Sequence, residues 1–76
     1  MPAPPRDPEL VPIAEHLRAA RDAVGLTQVA LAERAGITLA HINRLENARR
    51  DPGTKTLTRI ARALGTTPSE LLRGIE

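Results

Sequence analysis

The sequence contains no cysteine, phenylalanine, tryptophan or tyrosine among its 76 residues. Without cysteine it has neither a disulfide framework nor a thiolate metal site, and the two histidines, His16 and His41, lie too far apart in sequence for a zinc module. The missing aromatic rings argue against binding of single-stranded nucleic acid, because most modules for that ligand stack the bases on such rings. A hydrophobic core must therefore be built from leucine, isoleucine, valine and alanine.

Long apolar runs are missing as well. No segment approaches the roughly 20 apolar residues of a membrane span, and the proline-rich N-terminus lacks the apolar stretch of a signal peptide. We therefore expect a cytoplasmic protein without a membrane partner. The apolar share of 41% and the charged share of 26% are typical of a globular domain, and 76 residues allow one hydrophobic core.

No set of residues suited to catalysis is present. Ser69, the only serine, has no neighbouring histidine, and the adjacent Glu15 and His16 point to different sides of a helix. The sequence also lacks a glycine-rich phosphate loop. It therefore predicts that the protein is not an enzyme and needs no cofactor.

The basic residues are concentrated in one part of the chain. Six of the eleven basic residues but only two of the nine acidic residues lie between positions 38 and 62, and the remainder of the chain is mildly acidic. Such an uneven distribution is typical of a protein that binds a polyanion. Charge alone leaves open the alternative that these side chains are solvated helix faces.

Residues 1–8 hold four of the seven prolines. Because proline fixes φ and has no amide donor, we expect this arm to be extended or disordered and residues 9–76 to form the folded domain. Helix start and stop signals divide the domain into five short helical units. The first runs from Pro8 or Pro12 to Val24.

The apolar face predicted for this first unit consists of Ile13, Leu17, Ala20 and Val24. The N-cap residues predicted for the other four units are Thr27, Thr38, either Thr54 or Thr56, and Thr67. Because no β-hairpin signal is present, the sequence predicts an all-α domain.

The segment from Gln28 to Leu45 pairs two short helices through a minimal turn. Gly36 suits that turn, because its backbone conformation would cost a residue with a β-carbon about 1–2 kcal/mol. Ala32 suits the point where two steeply crossing helices approach closely, and Ile42 and Leu45 fix the inner face of the second helix. This spacing describes a helix-turn-helix, a motif whose second helix reads the major groove of DNA.

A wider pattern surrounds this motif. It comprises Leu26-Thr27-Gln28, Leu31-Ala32, Ala35-Gly36, Ile42-Asn43-Arg44-Leu45-Glu46-Asn47, Pro52, Leu57, Ile60-Ala61, Leu64-Gly65 and Leu71-Leu72. Over about residues 10–73 the chain resembles the Cro/repressor-type (XRE-like) helix-turn-helix family. The resemblance implies a five-helix lambda-repressor-like domain with its helix-turn-helix at helices 2 and 3, which inserts helix 3 in the major groove of duplex DNA, usually as a dimer on a palindrome.

The resemblance also implies which residues contact the bases, namely Thr38, Leu39, Ala40, His41 and Arg44. Arg44 has the fork that fits guanine O6 and N7, whereas Leu39 and Ala40 can only meet thymine methyl groups. Polar reading helices are common in the family, and Leu39 stands three residues before Ile42, so it has the alternative of packing against the bundle. For His41 the alternative is a phosphate or solvent.

Phosphate contacts are implied for Gln28, Asn47, Arg49 and Arg50, which position the protein without reading sequence. Gln28 has the alternative of an ordinary helix-start residue, and Arg50 that of a solvated charge. The family usually has glycine where this chain has Ala48, so which of the two arginines meets the DNA stays open. Similar proteins join an arginine near the end of helix 1 to a glutamate that ends helix 3, which implies a structural ion pair between Arg21 and Glu46.

We therefore predict a sequence-specific transcriptional regulator, a repressor, that binds a double-stranded DNA operator as a homodimer. Helix 5, the loop before helix 4 and the exposed Val29 are the candidate dimer surfaces. The alternative is a protein-interaction module, an antitoxin or adaptor, that uses the same fold and presents Leu39 and Ala40 to a protein partner. A third reading, nucleic-acid binding without sequence preference, is disfavoured by the modest net charge of +2.

Overall fold

The computed structural model describes residues 5–73, and within them it contains five α-helices, one short 3-10 helix and no strand. The 3-10 helix (Pro8–Leu10) leads into α1 (Val11–Ala23), which is followed by α2 (Gln28–Ala35), α3 (Leu39–Glu46), α4 (Gly53–Ala63) and α5 (Pro68–Leu71). The predicted all-α class and the five helices are confirmed. The longest of these helices has 13 residues, and none is long and apolar enough to cross a membrane.

Threonine hydroxyl groups begin three of the helices, as predicted. The side chains of Thr27, Thr38 and Thr67 each accept the backbone N–H of the residue three positions later, at 3.1, 3.1 and 3.2 Å. Each bond satisfies one of the amide groups that a helix leaves without a partner in its first turn. These three starts therefore follow from local sequence alone.

The start of α4 differs from the prediction. The helix begins at Gly53, so Thr54 and Thr56 lie inside it and neither is its N-cap. The Asp51 carboxylate accepts the Gly53 backbone N–H at 3.1 Å, and Pro52 holds the N-cap position without a side-chain bond. Asp51 and Pro52 together form a turn that starts the helix before either threonine is reached.

The helices enclose one apolar core. Its fully buried large side chains are Leu17, Leu31, Ile42, Leu45 and Ile60. Helix α3 packs on α1 and α2, α4 packs on α2 and α5, and α5 also packs on α1. Helices α1 and α2 thereby fix the position of α3, whose inner face is part of the core.

The prediction of the apolar face of α1 is wrong for one residue. Val24 follows the end of the helix and its side chain is 50% exposed, because the chain leaves the helical path at this position. Leu17 is buried as predicted, and Ala14 is buried with it.

The predicted N-terminal arm lies partly outside the described residues, which exclude 1–4 and 74–76. Within the described part, Asp7 has extended backbone and its side chain accepts the Glu9 backbone N–H, which caps the 3-10 helix. The Asp7 backbone N–H donates to the Ala48 carbonyl oxygen at 2.7 Å. The division of the chain at residue 9 stays a prediction.

Candidate nucleic-acid interface

The turn between α2 and α3 sets the direction of α3. Gly36 has a φ of +71°, a left-handed conformation that glycine adopts without steric cost. Its backbone N–H donates to the Glu33 carbonyl at 3.4 Å, and that of Ile37 donates to the Ala32 carbonyl at 3.0 Å. This bond pair ends α2 and turns the chain sharply. Helix α3 consequently keeps one face on the bundle and leaves the opposite face in solvent.

The first residues of α3 and its N-cap form an exposed tip, which we define as Thr38, Leu39 and Ala40. The Leu39 side chain is 46% exposed. The structure therefore does not bury Leu39 against the bundle, which was the alternative left open by its spacing from Ile42. Ala40 is exposed beside it, so the tip presents an apolar surface to solvent.

His41 lies less far out than the sequence suggested. Its side chain is partly buried, and its Nε2 atom is buried with no hydrogen-bond partner among the described residues. Burial lowers the pKa of His41, and the positive charges of Arg50 and Arg44 lower it further. Asn43, which the sequence did not single out as a contact residue, is exposed on α3 directly before Arg44. Leu45 is buried and lies four positions after His41, so the two share a face of α3. This spacing could have indicated the partial burial of His41.

The lowered pKa of His41 predicts how stability depends on pH. The His41 imidazole stays neutral to a lower pH in the folded protein than in the unfolded chain. Its contribution to the free energy of unfolding is therefore complete above the unfolded pKa of about 6.5, and it is lost as the pH falls from there through the folded pKa. We expect the His41 ring protons to titrate at lower pH in the native protein than in concentrated urea. Proton NMR titrations in both solvents, with a His41→Gln variant to assign the resonance, measure this difference. A native midpoint at or above the urea midpoint would contradict it.

The exposed charges of α3 and of the loop as far as Arg50 all have one sign. Between positions 38 and 50 the exposed charged side chains are Arg44, Arg49 and Arg50. The only acid in this segment, Glu46, has a side chain that is 1% exposed and is paired inside the protein. The exposed charges of this segment are therefore three cations, and the segment has no exposed carboxylate.

The loop after α3 begins with a left-handed residue that is not glycine. Ala48 has a φ of +58° and is completely buried. Its N–H donates to the Leu45 carbonyl at 3.3 Å and the Arg49 N–H donates to the Arg44 carbonyl at 3.0 Å, the same bond pair that ends α2 at Gly36. Alanine thus takes the conformation that the family gives to glycine, and both Arg49 and Arg50 leave the loop exposed.

Arg21 and Glu46 form a bidentate ion pair between α1 and α3. Arg21 Nε lies 2.7 Å from Glu46 Oε2, and Arg21 Nη2 lies 2.9 Å from Glu46 Oε1. Arg21 Nη1 also donates to the Leu26 carbonyl at 2.8 Å, which ties the same guanidinium to the segment before α2. Paired donors on a planar fork are the strongest arrangement available to these two groups.

Glu46 has two further partners. Gln28 Nε2 donates to Glu46 Oε1 at 3.2 Å, and Arg18 Nε lies 3.5 Å from the same oxygen. Arg18 was missed by the sequence analysis, although its position three residues before Arg21 puts both on one face of α1. One buried carboxylate therefore links residues of α1, α2 and α3.

These contacts determine the protonation of the buried carboxylate. Burial by itself raises the pKa of Glu46, but hydrogen bonds from Arg21 and Gln28 and the charges of Arg21 and Arg18 together outweigh burial and lower it. The Glu46 hydrogen bond correspondingly raises the pKa of Arg21. Both groups are thus charged at neutral pH, which the bidentate geometry requires.

The chain is similar to known helix-turn-helix proteins. A family model described as helix-turn-helix matches residues 17–71. An uncharacterised HTH-type transcriptional regulator, y4dL, from Sinorhizobium fredii is 42% identical over 52 residues, which cover 68% of this chain. The match covers 26% of that relative, so this chain corresponds to about a quarter of its length.

Two solved structures share the fold. The restriction-modification controller protein C.AhdI from Aeromonas hydrophila superposes with a TM-score of 0.80 at 32% identity, covering 83% of this chain and 96% of that one. The DNA-binding domain of the P22 C2 repressor superposes with a TM-score of 0.77 at 29% identity, covering 82% of each chain. Together with the family match, these likenesses support the fold and the resemblance inferred from sequence. The chain belongs to the Cro/repressor-type (XRE-like) helix-turn-helix family of DNA-binding transcriptional regulators, which are not enzymes.

Proposed function

We propose that the chain represses transcription by binding a double-stranded DNA operator with α3 in the major groove. The observation that carries this proposal is the surface around α3, where every exposed charge between positions 38 and 50 is positive and the tip is free. A surface of this sign attracts the phosphate backbone, and the exposed helix fits a groove about 12 Å wide.

Base contacts are proposed for Thr38, Leu39, Ala40, His41 and Arg44. Arg44 is exposed and has the donors for guanine, whereas the apolar tip residues fit thymine methyl groups. His41 is the weakest member of this set, because its Nε2 atom is buried and a base would have to meet another part of the ring.

Phosphate contacts are proposed for Gln28, Asn47, Arg49 and Arg50. The Gln28 amide donates one N–H to Glu46, and the Asn47 Nδ2 atom donates one to the Asn43 carbonyl at 2.7 Å. A side-chain amide has two N–H groups, so each retains a second donor for a phosphate oxygen. These internal bonds orient both amides before DNA is bound, which lowers the entropy cost of the contact.

A homodimer is proposed because one small domain makes few base contacts, whereas specific operators are typically bound at about 10⁻⁸ M or tighter. The loop before α4 and helix α5, both predicted as dimer surfaces, line one groove of about 550 Å³ together with Ile13 and Leu57. Its apolar lining, which includes Pro52 and Leu72, supports this face as the contact between two copies. Because y4dL and C.AhdI come from bacteria, we propose the cytoplasm as the location.

Fluorescence anisotropy with duplexes selected from a random library tests the DNA-binding proposal. We expect affinity to fall with salt at a slope of about −0.9 per phosphate neutralised, and Arg49→Ala to reduce the size of that slope by about 1 per subunit. Arg44→Ala should lower the affinity for the duplex with the preferred base by about 5- to 150-fold. Combining it with Gln28→Ala should abolish specific binding. Arg73→Ala also removes an exposed charge, but one after α5, and it should leave the affinity for DNA unchanged.

A footprint on the selected duplex tests the dimer. Two protected half-sites with centres about 34 Å apart are expected. Protection of a single half-site would contradict the proposed dimer but not the proposed DNA binding. If no duplex binds better than random DNA and a protein is instead recovered by pull-down through the Leu39–Ala40 surface, the chain is a protein-interaction module and the proposal is wrong.

A further inference from the structure

The tip of α3 has few polar groups with which to read a base. Leu39 and Ala40 are exposed and their side chains contain neither a hydrogen-bond donor nor an acceptor. The Thr38 hydroxyl oxygen accepts the His41 backbone N–H at 3.1 Å, and the His41 Nε2 atom is buried. Contacts made by Leu39 and Ala40 must therefore depend on shape and apolar area.

The major groove presents one apolar group to such side chains, the C5-methyl group of thymine. A cytosine methylated at C5 carries the same group at the same ring position. The two bases differ at the neighbouring position 4, where thymine has an acceptor oxygen and cytosine a donor amino group. A polar side chain distinguishes these groups by hydrogen bonding, but Leu39 and Ala40 cannot.

We propose that the tip binds the C5-methyl group of a major-groove pyrimidine, so that the affinity of the chain for DNA depends on cytosine methylation. The inference rests on the proposed function, because it requires α3 to enter the groove. It adds the chemical group that the tip recognises and a modification of DNA to which the chain responds.

Charge favours DNA over a protein as the occupant of this apolar surface. The exposed charged residues in the same segment are Arg44, Arg49 and Arg50, while Glu46 is buried. A base edge with its phosphates matches an apolar tip on a segment whose exposed charges are all positive. A protein surface would need both an apolar patch and a cluster of acids in the same arrangement.

The helical spacing also fits a methyl group beside a guanine. Ala40 and Arg44 are four residues apart, so their side chains lie on one face of α3 about 6 Å apart along its axis. Base pairs are stacked about 3.4 Å apart, and Arg44 on a guanine therefore brings Ala40 to a base one or two steps away. The short side chain of Ala40 lets the helix approach that base closely, with Leu39 beside it.

Removal of one methyl group at a time from the DNA tests the proposal with the wild-type chain. In the tightest duplex selected from a random library, each thymine is replaced in turn by uracil, which removes only the methyl group. We expect about a fourfold loss of affinity at one or more positions of each half-site. At those positions 5-methylcytosine paired with guanine should bind about fourfold better than unmethylated cytosine in the same pair.

Variants assign this effect to the tip. Replacing both Leu39 and Ala40 with serine should bring the thymine-to-uracil affinity ratio close to one. Val24→Ser is the matched control, because Val24 is as exposed as Leu39, at 50% and 46%, but lies at the end of α1. It should keep the fourfold ratio. Circular dichroism verifies that each variant is folded.

The outcomes separate this proposal from the one on which it rests. If the chain binds DNA specifically and uracil can replace every thymine without loss of affinity, the methyl-group proposal is overturned and the DNA-binding proposal stays intact. Specific binding with methyl discrimination that survives in the double serine variant would also overturn it, because other residues would then read the methyl group. Absence of binding to any duplex would refute the proposed function, and the methyl-group proposal with it.

Discussion

Replacing Arg21 with alanine is expected to destabilise the domain by about 3–5 kcal/mol, because the variant leaves the buried Glu46 carboxylate without its bidentate partner. A chain of this length has roughly 4–11 kcal/mol of unfolding free energy at about 0.05–0.15 kcal/mol per residue. The loss is therefore a large part of the total. Urea unfolding followed by circular dichroism measures it, since the sequence has no tryptophan or tyrosine for fluorescence.

A second ion pair on the surface provides the control. Arg73 Nη2 lies 3.5 Å from Glu70 Oε1, and both side chains are exposed. Arg73→Ala should cost less than about 1 kcal/mol, because exposed pairs are screened by water and ordered at an entropic cost. A double-mutant cycle of Arg21→Ala and Glu46→Ala should show strong coupling between the two residues. Additive losses would mean that the pair does not stabilise the protein.

The same variant should respond differently to acid. In the wild type the lowered pKa of Glu46 gives a stabilising contribution that is present above the unfolded pKa and lost as the pH falls through the folded pKa. Without Arg21, burial dominates and the pKa of Glu46 should lie above its unfolded value. Protonation then relieves the variant, so its deficit relative to the wild type should shrink as the pH falls. A deficit that stays constant with pH would contradict this account of the buried carboxylate.

Replacing Ala48 with valine is expected to cost about 2–5 kcal/mol, whereas Ala48→Gly should change stability by less than about 1 kcal/mol. Valine at a φ of +58° suffers more than the roughly 1–2 kcal/mol that a left-handed conformation costs an ordinary residue. It also adds two methyl groups where the alanine side chain is completely buried, at a further cost of about 1–3 kcal/mol. Urea unfolding of both variants tests the contrast.

Glycine at position 48 is near neutral because two effects offset. It removes the left-handed strain, but it loses a buried methyl group worth about 0.8 kcal/mol and makes the unfolded chain more flexible. If valine were tolerated as well as glycine, Ala48 would not have the positive φ on which the loop depends. DNA affinity should follow the same order, since Arg49 and Arg50 leave from this loop.

Local sequence predicted the start of a helix wherever a single N-cap residue determines it. Thr27, Thr38 and Thr67 each have an oxygen that satisfies an amide three positions later, so the cap is independent of the rest of the fold. At α4 the threonines competed with an Asp51–Pro52 turn that begins the helix earlier. Val24 was assigned to the core because its periodicity continues one residue beyond the end of the helix.

The interface was predictable in its residue types but not in its contacts. The exposed position of Leu39 depends on how α3 leaves the turn, and helical spacing alone allowed either a packed or a free side chain. The ion pair between Arg21 and Glu46 came from resemblance, because residues on separate helices have no spacing rule. Arg18 and Gln28 join the same carboxylate through tertiary packing. The spacing of Arg18 from Arg21 indicates a shared face of α1, but it does not indicate the partner on another helix.

The bond from the Asp7 N–H to the Ala48 carbonyl oxygen has a practical consequence for work with this protein. It brings the beginning of the described chain against the loop that carries Arg49 and Arg50. A change that removes or disturbs Asp7 would thus take away a support of the loop from which those two arginines leave. Shortened variants should accordingly keep Asp7 when their affinity for DNA is compared with that of the full chain.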